Sequence, residues 1–361
     1  MKKININTQS RSYDVNIGKN ILTQMISVLK ESDGEVLFIC DKNVYDLHRE
    51  KIISLTDSRK HHLYLFNSSE RNKTLKSVEL IYKYLKKHNF SRTDKIVAIG
   101  GGIVGDITGY VAATYMRGIQ YYQVPTTLLS MVDSSVGGKT GVNFLNVKNL
   151  IGSFHQPEKV YIDLAFLSTL PDREIISGAG EIFKYAFLSD EENYLIIRDY
   201  LLKILLQRKF HENMISRCIQ FKASVVEKDE FEKSGLRKIL NLGHTFAHGF
   251  ESALRFKIKH GEAVIAGVFC SLIISKKIGL ITDLELHKFA SDFEFLPVNT
   301  KVFRVDTENI IRYMKSDKKT SGNRIKLVLV SKPGNVFIDV EVTEKLIKES
   351  VVELSELFES V

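Results

Sequence analysis

The chain has 361 residues, 44% hydrophobic and 26% charged, an ordinary globular composition with room for about two domains, which excludes a disordered, collagen-like or membrane-embedded chain. The net charge of +8 points to an anionic ligand or to a basic surface, and no Lys/Arg block interleaved with aromatics marks a nucleic-acid site. Three cysteines, Cys40, Cys218 and Cys270, lie far apart in apolar stretches without a CxxC pair, so buried thiols in a reducing compartment are expected.

Residues 4–8 alternate apolar and polar, a strand pattern unlike the continuous apolar core of a signal peptide. Short apolar runs at 35–40, 61–66, 95–99 and 121–124 predict buried strands, with helix-like stretches at 73–87 and 104–115 among them. Strand alternating with helix implies a parallel sheet covered on both faces. Pro125 ends the last of these strands because it cannot donate to a ladder. After Leu170-Pro171 the texture changes. No Pro occurs from Arg173 to Leu296, and Ile196, Ile197, Tyr200, Leu201, Ile204 and Leu205 recur at helical spacing. Leu236, Leu240, Phe246 and Phe250 mark another helix. The longest apolar-rich run, 263–275, is too short to span a bilayer. A strand pair at 325–330 and 335–339, joined through Lys332-Pro333-Gly334, precedes a last helix from Val342. The expected architecture is an α/β N-terminal domain with a parallel-sheet nucleotide-binding fold over 1–170, followed by a mostly α-helical C-terminal domain over 171–361. A ligand site in the cleft between two such domains and a cytoplasmic location are expected.

Residues 95–99 run into Gly100-Gly101-Gly102-Ile103-Val104-Gly105-Asp106, a G-x-G-x-x-G match after a strand and before a helix. Glycines there permit a tight turn and close approach of backbone N–H groups to a pyrophosphate. The next strand ends in Val124-Pro125 where a Rossmann unit would carry its ribose-binding acid. Asp41, after an earlier strand, either does that work or caps the helix near Asn43. Gly137-Gly138-Lys139-Thr140 resembles the end of a P-loop, but Asp133 stands where that motif needs its first glycine, so an ATP site is rejected. The stretch reads instead as a turn aiming Lys139 and Asp133 at a polar ligand, or as a solvated turn, with Lys148 and Asn149 close behind. In the second half, His244 and His248 stand at i,i+4 on one helix face. With His260 and either Glu181 or Glu262 they could supply the two His and one carboxylate of a catalytic zinc site; spacing leaves open which two His and which Glu take part.

The stretch from Gly100 to Asn149, with residues 178–184, 236–248 and His260-Gly-Glu-Ala-Val264, resembles the 3-dehydroquinate synthase family of sugar-phosphate cyclases over nearly the whole chain. Val132-Asp-Ser-Ser-Val-Gly-Gly-Lys-Thr140 and Asn241-Leu-Gly-His-Thr-Phe-Ala-His248 carry the resemblance most specifically. It implies a fold shared with iron-dependent and glycerol-type dehydrogenases, a bound NAD and one divalent metal, zinc or cobalt. It implies conversion of 3-deoxy-D-arabino-heptulosonate 7-phosphate to 3-dehydroquinate and phosphate, in the shikimate pathway of aromatic amino acid biosynthesis. The implied course is transient oxidation at C5, phosphate elimination, re-reduction, ring opening and intramolecular aldol closure. The implied metal ligands are Glu181, His244 and His260. NAD contacts fall on Asp41, Ser68, Ser69, Glu70, Arg71, Asn72, Lys73, Gly102, Ile103, Val104, Gly105, Asp106, Thr126, Thr127, Lys139, Lys148, Phe166, Leu167, Ser168 and Thr169. Substrate contacts fall on Asp133, Asn149, Lys184, Lys222, Arg237, Asn241, His248 and one lysine of Asp317-Lys318-Lys319. Arg117 is implied to reach a neighbouring subunit's site, hence a homodimer.

The chain departs from the family pattern at Val147, where a glycine is usual, at Ser68-Ser69 before Glu70, and after Glu232, where one residue more precedes Arg237. The rival readings are a sister cyclase acting on a sugar phosphate without a carboxylate, a metal-dependent alcohol dehydrogenase and a nucleic-acid-binding protein.

Overall fold

The computed structural model describes residues 1–30, 34–145, 147–255, 257–317 and 324–359. In chain order it begins with β1 (Lys2–Asn7), β2 (Ser12–Gly18), α1 (Leu22–Lys30), β3 (Val36–Asp41), α2 (Lys42–Leu47), α3 (Arg49–Thr56), β4 (His61–Phe66), α4 (Leu75–Lys87), β5 (Lys95–Gly100), α5 (Gly102–Thr114) and β6 (Gln120–Pro125). A hairpin of β7 (Lys139–Phe144) and β8 (Val147–Phe154), then β9 (Lys159–Asp163), complete the strand-rich part. The rest is α6 (Asp172–Leu188), α7 (Glu191–Gln207), α8 (Glu212–Lys228), α9 (His244–Ala253), α10 (His260–Lys277), α11 (Asp283–Asp292), α12 (Thr307–Asp317), β10 (Arg324–Lys332), β11 (Asn335–Thr343) and α13 (Glu344–Glu359).

The chain divides into two compact units, Met1–Leu170 with His211–Phe231, and Pro171–Phe210 with Glu232–Val361. The expected division into 1–170 and 171–361 differs from this at one segment. Helix α8 belongs to the first unit, because it packs on β1, β2 and the π-helical turn Ser130–Ser134. Asn7 N also donates to Glu227 at 2.7 Å and Ser10 N to Glu230 at 2.9 Å, tying the end of α8 and the residues after it to the N-terminal strands.

The first unit is built on a seven-stranded sheet, order β1-β2-β9-β6-β5-β3-β4, parallel except for the antiparallel edge pair β1–β2. β3 and β5 are buried along their whole length, as strands covered on both faces must be. Leu37, Ile39, Ile96 and Ala98 pack there against Val78, Ile81 and Leu85 of α4 and Val104, Ile107 and Val111 of α5. β3 pairs with β4 on one side and β5 on the other, so the strand order reverses at β3. A sheet of this kind binds ligands beyond the carboxyl ends of its strands at such a reversal. Asp41 and Gly100-Gly101-Gly102 stand at those ends, on adjacent strands in register at Cys40 and Ile99.

The second unit is helical apart from the β10–β11 hairpin. Its central helix is α10, where Gly261 through Ser275 are all buried. The apolar run at 263–275 is therefore a core helix, and among the described residues no helix is long and apolar enough to cross a membrane. Two expectations are corrected here. The helix expected across 236–250 is a 3-10 turn, Leu236–Asn241, followed by α9, with Gly243 between them at φ +76. A Cβ on Gly243 would lie 2.7 Å from Val268 N, so the chain breaks to let its backbone touch α10. β11 runs through Val342 to Thr343, and the last helix starts at Glu344. Cys40, Cys218 and Cys270 are buried, and none forms a disulfide among the described residues.

Helices α6 and α10 meet backbone to backbone. A Cβ on Gly261 would lie 1.8 Å from Ser177 O, and one on Gly180 would lie 2.2 Å from Gly261 O. Gly261→Ala must push the two helices apart, at a cost of about 1–3 kcal/mol or more. Its urea unfolding midpoint should fall below that of the wild type; an unchanged midpoint would mean that the two backbones can separate freely.

Candidate functional site

The second unit gathers a carboxylate and two imidazoles. Glu181 lies within α6, His244 opens α9 and His260 opens α10. Glu181 Oε1 stands 3.0 Å from His260 Nε2 and 3.4 Å from His244 Nε2. One donor atom from each residue lies within 4.8 Å of the others. Both rings turn Nε2 toward the carboxylate, and His244 Nδ1 sits 3.1 Å from Leu242 O. Two imidazole nitrogens and one carboxylate, converging with a further position left for substrate, fit a divalent ion of the zinc type. Glu262, the other candidate carboxylate, is occupied elsewhere: it accepts from Lys259 N at 2.7 Å and from Arg173 Nε and Nη2 at 3.2 Å each. His248 lies beside the set but outside it, its ring 5.9 Å from that of His244 and 6.4 Å from that of His260.

The charges in this group are strongly interdependent. Lys184 is buried, one turn along α6, with Nζ 2.5 Å from Glu181 Oε2. Burial works against the Glu181 charge, but Lys184 and the two rings outweigh it and hold the carboxyl well below its usual range. Burial pushes the His244 imidazole down to about 4, and Glu181 offsets only part of this. Burial opposes protonation of His260 too, yet Glu181 and Glu251 prevail and push that ring up to about 10. Glu251, on α9, has Oε1 3.6 Å from His260 Nδ1. The sequence reading passed over it; the available signal was its place three residues after His248 and seven after His244, on one helical face.

Arg237 and Asn241 lie on the 3-10 turn before α9, Arg237 buried with Nε 3.8 Å from Glu232 Oε1. From Glu232 to Arg237 the backbone takes two left-handed positions, Glu232 at φ +57 and Gly235 at φ +81. Lys318 and Lys319 lie outside the described residues.

In the first unit, the amides of Gly102, Ile103, Val104, Gly105 and Asp106 open α5 directly after β5. A Cβ on Gly102 would lie 3.1 Å from Ser134 Oγ. Thr126, hydrogen-bonded to Gly100 O through its N–H, has a buried Oγ1 with no hydrogen-bond partner among the described residues. Glycine amides at a helix start and an unsatisfied hydroxyl beside them fit the phosphates of a dinucleotide. Thr127 Oγ1 is shared with Ser130 Oγ at 2.9 Å. Asp41 caps α2, accepting from Asn43 N at 2.8 Å, and its carboxyl is raised by burial. The 3-10 turn Leu164–Thr169 buries Phe166 and Leu167 and exposes Ser168 and Thr169, and Thr169 Oγ1 meets His48 Nε2 at 2.7 Å.

The buried Lys73 bonds Asp106 and the Asn149 side chain, joining the glycine loop to β8. Asn143 of β7 bonds Glu70 Oε2 at 2.8 Å, and Lys148 Nζ lies 3.9 Å from Glu70 Oε1. The hairpin is thus pinned against the segment of Ser68, Ser69, Glu70, Arg71, Asn72 and Lys73. Lys139 is the exposed first residue of β7, after Gly137 at φ +105 and Gly138 at φ +66, and Asp133 belongs to the π-helical turn Ser130–Ser134. Asp133 is held by Lys222 of α8, whose Nζ is 2.8 Å from both Oδ2 and the backbone oxygen. Arg117 is exposed in a left-handed stretch, Met116 at φ +52 and Arg117 at φ +65.

The family described as 3-dehydroquinate synthase N-terminal matches residues 63–177, and its C-terminal counterpart matches 178–320. The chain is 41% identical over 360 residues to the 3-dehydroquinate synthase of Pelagibacter ubique, covering 96% of each chain. It is 38% identical to that of Alkaliphilus metalliredigens, covering 93% of this chain and 94% of the relative. Among solved structures, 2-deoxy-scyllo-inosose synthase in complex with carbaglucose-6-phosphate, NAD+ and Co2+ has a TM-score of 0.88 at 26% identity, covering 98% of this chain and 99% of that one. The 2-epi-5-epi-valiolone synthase of Streptomyces hygroscopicus subsp. jinggangensis, with NAD+ and Zn2+ bound, has a TM-score of 0.86 at 26% identity, covering 97% and 98%. A probable glycerol dehydrogenase of Sinorhizobium meliloti, 16% identical with a TM-score of 0.62 over 96% of this chain and 97% of its own, shares the fold.

The titration behaviour of the two rings gives a direct test of the ligand set. At pH 8, His244 is already neutral, whereas His260 still holds a proton that a cation on Nε2 must displace. Zinc uptake by the chelator-stripped protein should release about one proton, read by calorimetry in buffers of different ionisation enthalpy. Uptake with no proton released would mean that His260 is already neutral before the ion arrives or does not take it; loss of uptake in His260→Ala separates the two.

Proposed function

The chain belongs to the 3-dehydroquinate synthase family, and from that premise we propose that it converts 3-deoxy-D-arabino-heptulosonate 7-phosphate to 3-dehydroquinate and phosphate, with NAD and one divalent ion, zinc or cobalt. The observation that carries the proposal is the near-full-length identity to 3-dehydroquinate synthases in a chain that also assembles Glu181, His244 and His260. When bound, NAD supplies a hydride acceptor restored within each turnover, and the ion supplies a Lewis acid for the substrate hydroxyls.

The first unit does the nucleotide work. The first α5 amides, Gly102, Ile103 and Val104, and the hydroxyls of Thr126 and Thr127 take the phosphates with Gly105 and Asp106 beside them, and Asp41 takes the ribose from its place on the adjacent strand. The turns at 68–73 and 164–169, with Lys139 and Lys148, surround the rest of the cofactor. Asp41 serves as helix cap and ribose acceptor at once, since a carboxylate has two oxygens.

The substrate's carboxylate and phosphate need cations held in advance. Arg237 is buried and planar, suited to grip a carboxylate in two places. Lys184 and Lys222 are buried beside carboxylates, which keep them charged and oriented. Asn149, Asn241 and Asp133 orient the substrate hydroxyls, and His248, next to the ligand set but outside it, relays a proton. Arg117 completes the site of a second copy in a homodimer; its exposure and the strained backbone that presents it support this. Three buried cysteines outside any disulfide support a cytoplasmic location.

With purified enzyme and catalytic NAD, phosphate and 3-dehydroquinate should form in equal amounts, with no NADH accumulating. Deuterium placed at C5 of the substrate should remain in the product. A hexose phosphate without the carboxylate should be turned over on the order of 10²-fold more slowly or worse, because it lacks the group that Arg237 is proposed to grip. One NADH released per turnover would overturn the cyclase reading in favour of a dehydrogenase.

A further inference from the structure

Glu251 lies outside the ligand set and is assigned no part in the reaction above. It projects from α9 on the face that carries His244 and His248, and it is 3% exposed. Its Oε1 is 3.6 Å from His260 Nδ1, while Nε2 of the same ring is 3.0 Å from Glu181 Oε1. The His260 ring is thus addressed by carboxylates on both edges, one from α6 and one from α9. A cation on Nε2 leaves the ring proton on Nδ1. A carboxylate facing Nδ1 then accepts that proton's hydrogen bond, fixes the tautomer and the ring plane, and strengthens electron donation from Nε2. His244 has a neutral counterpart for the same task, Leu242 O at 3.1 Å from its Nδ1. An ionised carboxylate is expensive to bury, and hydrogen-bonded pairing offsets that expense.

We infer that Glu251 is a positioning residue that holds His260 in the tautomer and orientation a divalent ion requires. The inference rests on reading Glu181, His244 and His260 as ligands. It makes α9 a double contributor, giving one ligand and the outer support of another.

The test uses the full-length protein stripped of metal and titrated with Zn2+ against a chromophoric chelator. Replacement by Co2+ gives a second readout in its visible absorption bands. Glu251→Gln keeps shape and removes charge, and Glu251→Asp keeps charge at shorter reach. Glu251→Gln should raise the Zn2+ dissociation constant by about 10–100-fold and shift the Co2+ bands. Its metal-free unfolding midpoint should stay near that of the wild type, and Glu251→Asp should fall between the two. A smaller rise in the dissociation constant, or an unshifted Co2+ spectrum, overturns the inference. If Glu251→Gln does not fold, Glu251→Asp is judged by the direction of the same two readouts. If neither folds, Glu251 is a core residue and the inference fails. Wild-type protein that binds no Zn2+, or His244→Ala binding it as tightly as wild type, overturns the ligand reading itself, a result distinct from failure of Glu251 alone.

Discussion

Three helices of the second unit meet with backbone against backbone, and the cation-binding set depends on that contact. Each ligand is the chain neighbour of a glycine without room for a Cβ: Gly180 before Glu181, Gly243 before His244, Gly261 after His260. Gly180 and Gly261 press on one another's helices, and a Cβ on Gly267 would lie 2.1 Å from Gly243 O. Ligand positions are therefore set by main-chain packing, the least adjustable part of a protein interior. An extra methyl at one crossing would open the 3.0 Å approach of Glu181 to His260, and a misplacement of about 1 Å can cost about 10²-fold in rate. The same crossing is tied at its outer end. Arg173 of α6 grips Glu262 of α10, Glu174 meets Lys259 at 2.5 Å, and Glu262 caps α10 through Lys259 N. Glu262 thus acts in this site as a fastening, not as a ligand. The half-buried Lys259–Glu174 pair adds little; the buried Glu262 bonds add direction.

A second regularity links the two units. Lys73, Lys184 and Lys222 are all buried, and each faces a carboxylate, Asp106, Glu181 and Asp133 respectively. Buried ion pairs are seldom kept for stability, since desolvation consumes much of the attraction. They do hold charges oriented and partly desolvated, the state in which a cation acts most strongly on an anion that arrives later. The signal in this chain is accordingly the burial of these lysines, far more than its net charge of +8.

What could be read from the sequence follows the same physics. The strands at 35–40, 61–66, 95–99 and 121–124 were legible because interior parallel strands are unbroken apolar runs. The β7–β8 hairpin was not: its residues carry glycines and hydroxyls, and Asn143, which pins it to Glu70, looks like any loop asparagine. Helix α8 lay within the stretch read as mostly helical and was assigned with it to the second unit, because an amphipathic stripe does not say which surface it covers. His244 and His260 stood out as ligand candidates by type and by resemblance. The choice between Glu181 and Glu262 turns on how α6 crosses α10, and spacing along one chain carries no such information. Glu251 was invisible for a related reason: a carboxylate on a helix reads as solvated until its neighbours are known.

The path of the chain decides which functions can be perturbed separately. It passes from one unit to the other at 170/171, 210/211 and 231/232, so α8 interrupts the helical unit in sequence yet packs with the sheet. The three proposed cation ligands, and Glu251 behind them, belong to the second unit; the glycine loop, Asp41 and the Lys222–Asp133 pair belong to the first. On that reading the placing of the ion's ligands rests on the α6, α9 and α10 crossings. Lys222 and Asp133 depend on α8 staying seated on the π-helical turn, whose backbone oxygen Lys222 also holds. A change in the α8 seat would disturb Lys222 and Asp133, both proposed substrate contacts, and leave the contacts that assemble Glu181, His244 and His260 intact. A change at Gly180 or Gly261 would disturb those three residues together with Lys184, one turn along α6, so on the proposed reading it reaches the ion and the substrate at once. The difference arises because each set of groups is assembled by contacts within its own unit.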